Sequence, residues 1–349
     1  VRDLLALSQL SRGEIQELLV LASRLERTGD PQALAGKILG LLFFNPSLRT
    51  LASMQAAMSR LGGTSFVISP GSGSWKLESA TGVVMDGEAA EHVREAIPVL
   101  AGYADALGVR SFASGDDLAA DLADSRFRAL AALSPKPVVN LESAIDHPCQ
   151  ALADWKTVDE LGVAPHGKLV LTWANHPKPL PLAVPAAVLQ MAAARGMEVV
   201  VLRPQAYALP EPLLGAARAA AAAAGGSVRE SDERCEALAG AAIVYAKSWA
   251  SAAHYGDAEK ERELRAGLGD WTVDEPWFAR APAARFMHCL PVRRNVVATD
   301  AVLDSPRSVV VRQAHNRLWV QMAVLHRMLA GAPAGRRAHQ EIVAGKEAP

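Results

Sequence analysis

Apolar residues along this chain fall into two alternating rhythms. Short continuous runs at 37–44, 65–68, 106–109, 137–140, 168–172, 198–202, 242–246, 285–287 and 309–311 read as buried strands. Between them lie stretches with apolar residues at helical spacing. The first is opened by Ser11 and Glu14, a capping-box pattern, and runs to about residue 27. Another follows Ser47 over 48–61 and is stopped by Gly62-Gly63. Further helices are predicted at 91–103, 116–133, from His147-Pro148 to about 160, at 211–224, and at 316–329 with Arg317 in the first turn.

Alternation of this kind implies α/β architecture, parallel sheets with helices on both faces. The strands are too many for one comfortable open sheet. Two doubly wound parallel-sheet domains are expected, at 1–146 and 147–330, with the helix at 149–160 as the bridge and the closing helix packing back on the first domain. A small, charged tail at 331–349 is expected to be disordered. Two segments fit neither rhythm. PGSGSWKLESATG, 70–82, reads as a long loop that sets Trp75 among glycines and serines, as a lid or interface residue or folded back on its own domain. The Pro-rich run at 176–185 reads as a stiff loop, not a helix start.

Composition narrows the class of function. The 349 residues are half apolar, ample for a large core, and the formal net charge is −1. That balance favours neither nucleic acid nor a membrane surface. No apolar run reaches the length of a membrane span. The first residues, VRDLLALSQLSRGE, carry no signal-peptide pattern, and the start at Val reads as a chain whose first residue is missing. Cys149, Cys235 and Cys289 form a sparse set without CxxC, which points to a reducing, cytoplasmic setting and away from a metal site. The Ala-rich stretch 219–224 reads as compositional drift in a helix.

Candidate chemistry gathers at the strand ends. Ser47, Arg49, Arg110, Glu142, His147, Gln150, His176, Lys247, His288 and Cys289 each fall shortly after a predicted strand. Ligands of open α/β sheets bind beyond the carboxyl ends of the strands, so this bias suggests one site. Arg49, Arg110, Lys247 and Arg317 call for an anion such as phosphate or carboxylate. The stretch KILGLLFFNPSLRT, 37–50, adds a helix N-terminus after a Pro turn, where several N–H groups and the helix dipole face one spot. Taken alone it fits either a phosphate site or an ordinary βα turn with a Ser cap and a surface Arg. His147 could equally cap its helix, Glu142 cap another, and Lys247 be a strand-end surface residue. Cys289 resembles a nucleophile beside His288, but neighbours on a strand point to opposite faces and cannot form an intimate pair. There is no GxGxxG after the first strand and no GxxxxGK[ST], which disfavours dinucleotide and P-loop binding.

Three motifs then carry a resemblance. FFNPSLRT is similar to the Ser-Thr-Arg-Thr phosphate loop of the aspartate/ornithine carbamoyltransferase family, HPCQ at 147–150 to its second motif, and HCLP at 288–291 to its third, in the form of the ornithine branch. The likeness runs to about residue 330. The Ser-Met-Gly loop of plain ornithine enzymes is missing, with YAKSWAS in that region, and the Pro-rich run is extra. Both features resemble the acylornithine subgroup, in which that loop is threaded to give a knotted second domain. GSWKLES, GVVMDG, EHVREAIPVL and HCLPVRRN look most similar to the branch acting on N-succinylornithine. The branch acting on N-acetylornithine has Glu where Ala90 stands and Lys where Val297 stands. Leu51 departs from both, since the family usually has Arg there.

The resemblance implies transfer of a carbamoyl group from carbamoyl phosphate to the δ-amine of N-succinylornithine in arginine biosynthesis, with N-acetylornithine as the alternative acceptor. A non-catalytic binding homologue is a further alternative. It implies that Ser47, Leu48, Arg49, Thr50, Arg110 and Arg317 hold the phosphate, and that Thr50, His147 and Gln150 polarise the carbonyl, with Pro148 and Cys149 in the same turn. Cys289 and Leu290 would place backbone carbonyls near the amine. Glu142, His176, Lys247, Arg293, Ala90 and Leu290 would surround the acylated amino acid. Trp75 would reach a neighbour's site in a homotrimer. No metal or cofactor is implied.

Overall fold

The computed structural model describes residues 3–331. In chain order, α1 (Arg12–Thr28) is followed by β1 (Ile38–Phe43), α2 (Leu48–Arg60), β2 (Thr64–Ile68), β3 (Lys76–Glu78), β4 (Ala89–His92), α3 (Val93–Gly102), β5 (Ala106–Arg110), α4 (Leu118–Leu122), α5 (Ser125–Ala132) and β6 (Val138–Glu142). The chain continues through α6 (Pro148–Glu160), β7 (Lys168–Trp173), α7 (Ala183–Arg195), β8 (Glu198–Leu202), α8 (Glu211–Ala224), β9 (Ser227–Ser231), α9 (Arg234–Leu238), β10 (Ile243–Lys247) and α10 (Ala258–Ala266). It ends with β11 (Arg285–Met287), α11 (Asp300–Leu303) and α12 (Val310–Leu329).

Two parallel sheets form, as the alternation requires. One is four-stranded in the order β2-β1-β5-β6, the other five-stranded in the order β11-β10-β7-β8-β9. Their central strands are buried on both faces, which is why they read as unbroken apolar runs. Close packing reaches the backbone itself: a Cβ at Gly40 would stand 2.7 Å from Leu107 Cδ2 and 2.9 Å from Phe66 Cζ. Ser11 caps α1 as expected, with Glu14 donating its N–H to Ser11 Oγ at 3.2 Å and accepting the Ser11 N–H at 2.9 Å.

Helix α6 joins the two sheets and packs against α7 and α12, and α12 also lies on α1 and α2. A charged clasp pins this return. Arg312 Nη1 meets Glu26 on α1 at 2.8 Å, Arg312 Nη2 meets Glu160 on α6 at 2.6 Å, and buried Lys156 Nζ pairs with Glu26 at 2.8 Å.

Several local expectations are corrected. The 70–82 stretch is not all loop, because residues 76–78 pair in parallel with 89–92 as a separate two-stranded ribbon. Residues 116–133 form two helices, broken where Asp124 takes φ 55°. That conformation turns its carboxylate onto Ser143 Oγ (2.7 Å) and the Ala144 N–H (3.1 Å). Helix α7 begins at Ala183, inside the Pro-rich run, with Pro185 in its first turn where no N–H is required. Strand β9 and helices α9 to α11 were not read. Residues 309–311 are not a strand: Ser308 makes one bridge to Phe286, and α12 starts at Val310, so Arg317 lies two turns in. Tertiary packing of Val310 and Gln313 overrides the β-branched run there. The expectation for the tail concerns 332–349, which lie outside the described residues.

Candidate active site

The carboxyl ends of β1, β5 and β6 face those of β7 and β10 across a cleft of about 450 Å³. Ser47, Leu48, Arg49, Thr50, Arg110, Glu142, His147, His176, Lys247, Cys289, Leu290 and Arg317 line it. Eight of the ten strand-end residues therefore converge, while Gln150 and His288 are buried and do not line the cleft. Phe112, Pro46, Leu180, Pro181, Val184 and Pro291 also line it and were not singled out from the sequence. Phe112 stands two residues past the end of β5, so the strand-end rule could have found it.

One wall is built for an anion. Ser47 caps α2 and accepts the Thr50 N–H at 3.2 Å. The N–H groups of Leu48 and Arg49 have no acceptor among the described residues. Arg317 Nη2 crosses from α12 and donates to Thr50 Oγ1 at 2.7 Å. Arg110 is held by a register shift: the β5–β6 ladder skips Leu141, so Arg110 pairs with Glu142. Glu142 adopts φ 151°, sparsely populated for a residue with a side chain, and its N–H is taken by Asn140 Oδ1 at 2.9 Å. Arg110 Nη1 donates to the Glu142 carboxylate, and its guanidinium lies 4.4 Å over the Phe112 ring.

The Nε atoms of Arg49, Arg110 and Arg317 are all buried and have no partner among the described residues. Three guanidiniums thus share one acid, Glu142, which leaves positive charge and unused donors facing the cleft. Burial pushes Arg49 and Arg317 below the usual arginine range, and Arg110 repels both.

His147 opens α6 and is buried, with Nδ1 unpartnered and Nε2 3.8 Å from the Glu142 carboxylate. Burial first, then Arg317 and Arg110, hold it well below the ordinary histidine range, so it is neutral. Its side chain makes no cap bond to the helix, so the capping reading fails. Pro148 and Cys149 are buried in the same turn and do not line the cleft. Gln150 departs from the expected donor role. Its Nε2 donates to Asp154 Oδ1 at 2.8 Å, and its Oε1 is the atom left without a partner.

The opposite wall carries His176, Lys247, Cys289 and Leu290. His176 Nδ1 accepts the Lys178 N–H at 3.1 Å, and burial lowers its pKa. Lys247 ends β10 with no carboxylate in salt-bridge range among the described residues. Burial raises the Cys289 thiol, keeping it protonated, which argues against a nucleophile. His288 is spent on shape: its Nδ1 accepts the Leu290 N–H at 2.9 Å, while Leu290 sits at φ 57° ahead of a cis peptide to Pro291. Arg293 is exposed and lies near enough to lower the His176 pKa. Trp75, 59% exposed with Nε1 2.9 Å from Glu91, and Ala90, exposed on β4, do not line the cleft of their own chain. Leu51 packs against the core, also outside the lining.

Just before His147, Asp146 accepts the Leu7 N–H at 3.0 Å, and burial raises its carboxyl from 3.8 to about 7. Between those values the unfolded chain has lost the proton that the folded chain keeps. Stability therefore falls as pH rises from about 4 to about 7. Asp146→Asn keeps an acceptor for Leu7 and lacks the titration. Its melting temperature is expected to gain on that of the parent between about pH 4 and pH 7; a constant difference would remove Asp146 from the cause.

Comparison with known proteins agrees with this geometry. Residues 2–160 match the model "Aspartate/ornithine carbamoyltransferase, carbamoyl-P binding domain", and residues 184–328 match "Aspartate/ornithine carbamoyltransferase, Asp/Orn binding domain". The N-acetylornithine carbamoyltransferase of Xanthomonas campestris is 41% identical over 90% of this chain and 94% of its own. The N-succinylornithine carbamoyltransferase of Bacteroides thetaiotaomicron is 40% identical over 84% of this chain and 88% of its own. A crystal structure of an N-acetyl-L-ornithine transcarbamylase variant, with one Glu changed to Ala and complexed with carbamyl phosphate and N-succinyl-L-norvaline, superposes with a TM-score of 0.90. It is 40% identical and covers 94% of this chain and all of that one.

Fold and cleft together define a two-lobed α/β group-transfer enzyme with an anion pocket at a helix start. The chain belongs to the aspartate/ornithine carbamoyltransferase family, as FFNPSLRT, HPCQ and HCLP suggested.

Proposed function

We propose that this carbamoyltransferase uses an N-acylornithine as acceptor, and N-succinyl-L-ornithine in particular, giving N-succinyl-L-citrulline and phosphate in arginine biosynthesis. For the carbamoyl-phosphate half, the supporting observation is the trio of guanidiniums with unpartnered Nε atoms around the open N-terminus of α2. The phosphate sits against Ser47, Leu48, Arg49, Thr50, Arg110 and Arg317. Thr50, Arg110 and neutral His147 donate toward the carbonyl oxygen, where negative charge develops. Gln150 Oε1 accepts from the carbamoyl nitrogen, since its amide nitrogen is engaged elsewhere. The δ-amine, oriented by the carbonyls of Cys289 and Leu290, attacks the carbonyl carbon. The bond from that carbon to the bridging oxygen then breaks, and phosphate leaves with the amine proton.

Lys247 carries the acceptor assignment. It faces the cleft without a carboxylate partner among the described residues, and Ala90 stands where the acetyl-accepting branch has Glu. A succinyl carboxylate is the counter-ion that fits, with Arg293 close by and Glu142 and His176 left for the amino-acid portion. The Glu-to-Ala relative complexed with N-succinyl-L-norvaline supports the same reading. N-acetyl-L-ornithine is the second reading, favoured by the 41% identical relative. Side-by-side turnover decides between them: faster carbamoylation of acetylornithine would overturn the succinyl assignment. Ala90→Glu is expected to move the succinyl-to-acetyl ratio toward acetyl by about tenfold, the scale of one like-charge pair in a half-buried site. An unaltered ratio would take Ala90 out of the acyl pocket.

A homotrimer belongs to this proposal. Trp75, Val83, Val84 and Met85 are exposed on and beside the β3–β4 ribbon, a cluster suited to a neighbouring subunit. Light scattering should then give three times the 36.9 kDa chain mass. Free Cys149, Cys235 and Cys289 fit action in a reducing cytoplasm.

A further inference from the structure

Asp154 and Gln313 are completely buried and do not line the cleft, yet their side chains bond to Gln150, one helical turn from cleft-lining His147, and to the N–H of His288, next to cleft-lining Cys289. Gln313, on α12, accepts the backbone N–H of His288 on its Oε1 at 3.0 Å. A backbone N–H can only donate, so this contact fixes which way the Gln313 amide faces. Its Nε2 must then point away from His288, and it donates to Asp154 Oδ1 at 2.7 Å and to Tyr245 Oη at 3.1 Å. The same Asp154 oxygen accepts Gln150 Nε2 at 2.8 Å. Asp154 has no proton to offer at that oxygen while two N–H groups occupy it. Gln150 is therefore held with its nitrogen inward and its Oε1 unpartnered.

Gln150 and His147 lie three residues apart at the start of α6 and so share a face of that helix. His288 opens the turn that carries Cys289 and Leu290, whose shape is already fixed by the Leu290 N–H on His288 Nδ1. One carboxyl oxygen thus connects the HPCQ turn beside the first sheet to the HCLP turn beside the second. Apolar residues at 154 and 313 would leave the buried His288 N–H and Gln150 Nε2 without these acceptors. The paired amides and carboxyl meet these groups and give the Gln150 amide, buried one helical turn from His147, a defined orientation.

We propose that Asp154 and Gln313 are positioning residues for carbamoyl phosphate: they lock the Gln150 amide so that its oxygen, not its nitrogen, meets the carbamoyl NH2, and they tie that lock to the 288–291 turn. The inference rests on the carbamoyl-phosphate reading given above and names the residues that make its nitrogen contact selective.

Inorganic phosphate shares the phosphate contacts and lacks the carbamoyl nitrogen, which provides the test. Calorimetric titrations with carbamoyl phosphate and with inorganic phosphate are run on the full chain and on Gln150→Ala, Asp154→Ala and the double variant. Gln150→Ala and Asp154→Ala are each expected to weaken carbamoyl phosphate about tenfold, the scale of one buried hydrogen bond lost, with inorganic phosphate affinity unchanged. The double variant should bind no more weakly than Gln150→Ala alone, because Asp154 acts through Gln150. Asp154→Asn, which retains an oxygen for both N–H donors, should recover most of the loss. Equal weakening of both anions, or losses that multiply in the double variant, would overturn the proposal and leave Asp154 a purely structural residue. Should Asp154→Ala not fold, Gln313→Leu is put through the same cycle and judged by the same two outcomes. A parent protein that binds both anions equally would defeat the carbamoyl-phosphate reading itself, and this inference with it.

Discussion

Arg49→Met is expected to abolish measurable carbamoyl-phosphate binding while making the empty protein more heat-stable. Arg49 sits at the start of α2 with a buried Nε that meets no acceptor and no carboxylate in range. Nothing inside the protein is left unpaired when it goes. What disappears is repulsion: burial and Arg110 both disfavour its charge. The ligand loses two or more charge-assisted hydrogen bonds of about 1.5–3 kcal/mol each, so affinity falls by a factor of about 10² to 10⁴. Stability gains on the order of 1 kcal/mol, or about 1–2 °C in melting temperature for a chain of 349 residues. Titration calorimetry and scanning calorimetry on the same preparation read both quantities. Unchanged carbamoyl-phosphate affinity would remove the α2 start from the phosphate site. A lower melting temperature would show that the guanidinium cluster is not strained.

His147→Ala is expected to lower kcat by about a hundredfold, the usual effect of removing one donor from a developing oxyanion, with a much smaller change in carbamoyl-phosphate affinity. The ring is buried, keeps Nδ1 unpaired, and lies in a field of arginines that prevents protonation. It is therefore expected to act as a neutral donor, its protonation being disfavoured by burial, Arg317 and Arg110. No acid limb in the pH–rate profile should disappear in the variant, because none belongs to this residue. Its effect on stability has a definite sign. Below the ordinary value of 6.5 the unfolded chain takes up a proton that folded His147 refuses, so stability is lost as pH falls through 6.5. His147→Ala should lose less stability between about pH 7 and pH 5 than the parent. A kcat within about twofold of the parent would exclude His147 from the reacting centre.

The strands of both sheets except β9 were legible because parallel strands buried on two faces leave continuous apolar runs, whereas β9 is a half-exposed edge strand. Strand β11 was read to the residue, and helix α8 as well. Site residues were legible for a related reason. Strand ends of one polarity share one edge, so Arg110, Glu142, Lys247 and Cys289 could be gathered before any contact was known. What failed depends on contacts remote in sequence. Val309, Val310 and Val311 look like a strand, and nothing local shows that Gln313 will be drawn inward by His288 and Asp154, starting the helix early. The β3–β4 ribbon is three and four residues long and exposed, too short for periodicity to register. The Gln150 amide could not be oriented from its own neighbours, because the atom that decides it is the N–H of residue 288. Leu51, which departs from the family's usual Arg, packs against the core and is not part of the cleft lining.

Helix α12 has a consequence for how the enzyme comes into being. The first sheet is complete at residue 142, but Arg317, which donates to Thr50 across from α2, is not synthesised until the chain is almost finished. A nascent first lobe can pack its strands on the ribosome while its anion pocket still lacks one wall. A chain broken off before the last helix would lack the Arg317 contact to Thr50, so completion of the pocket waits for a single late step.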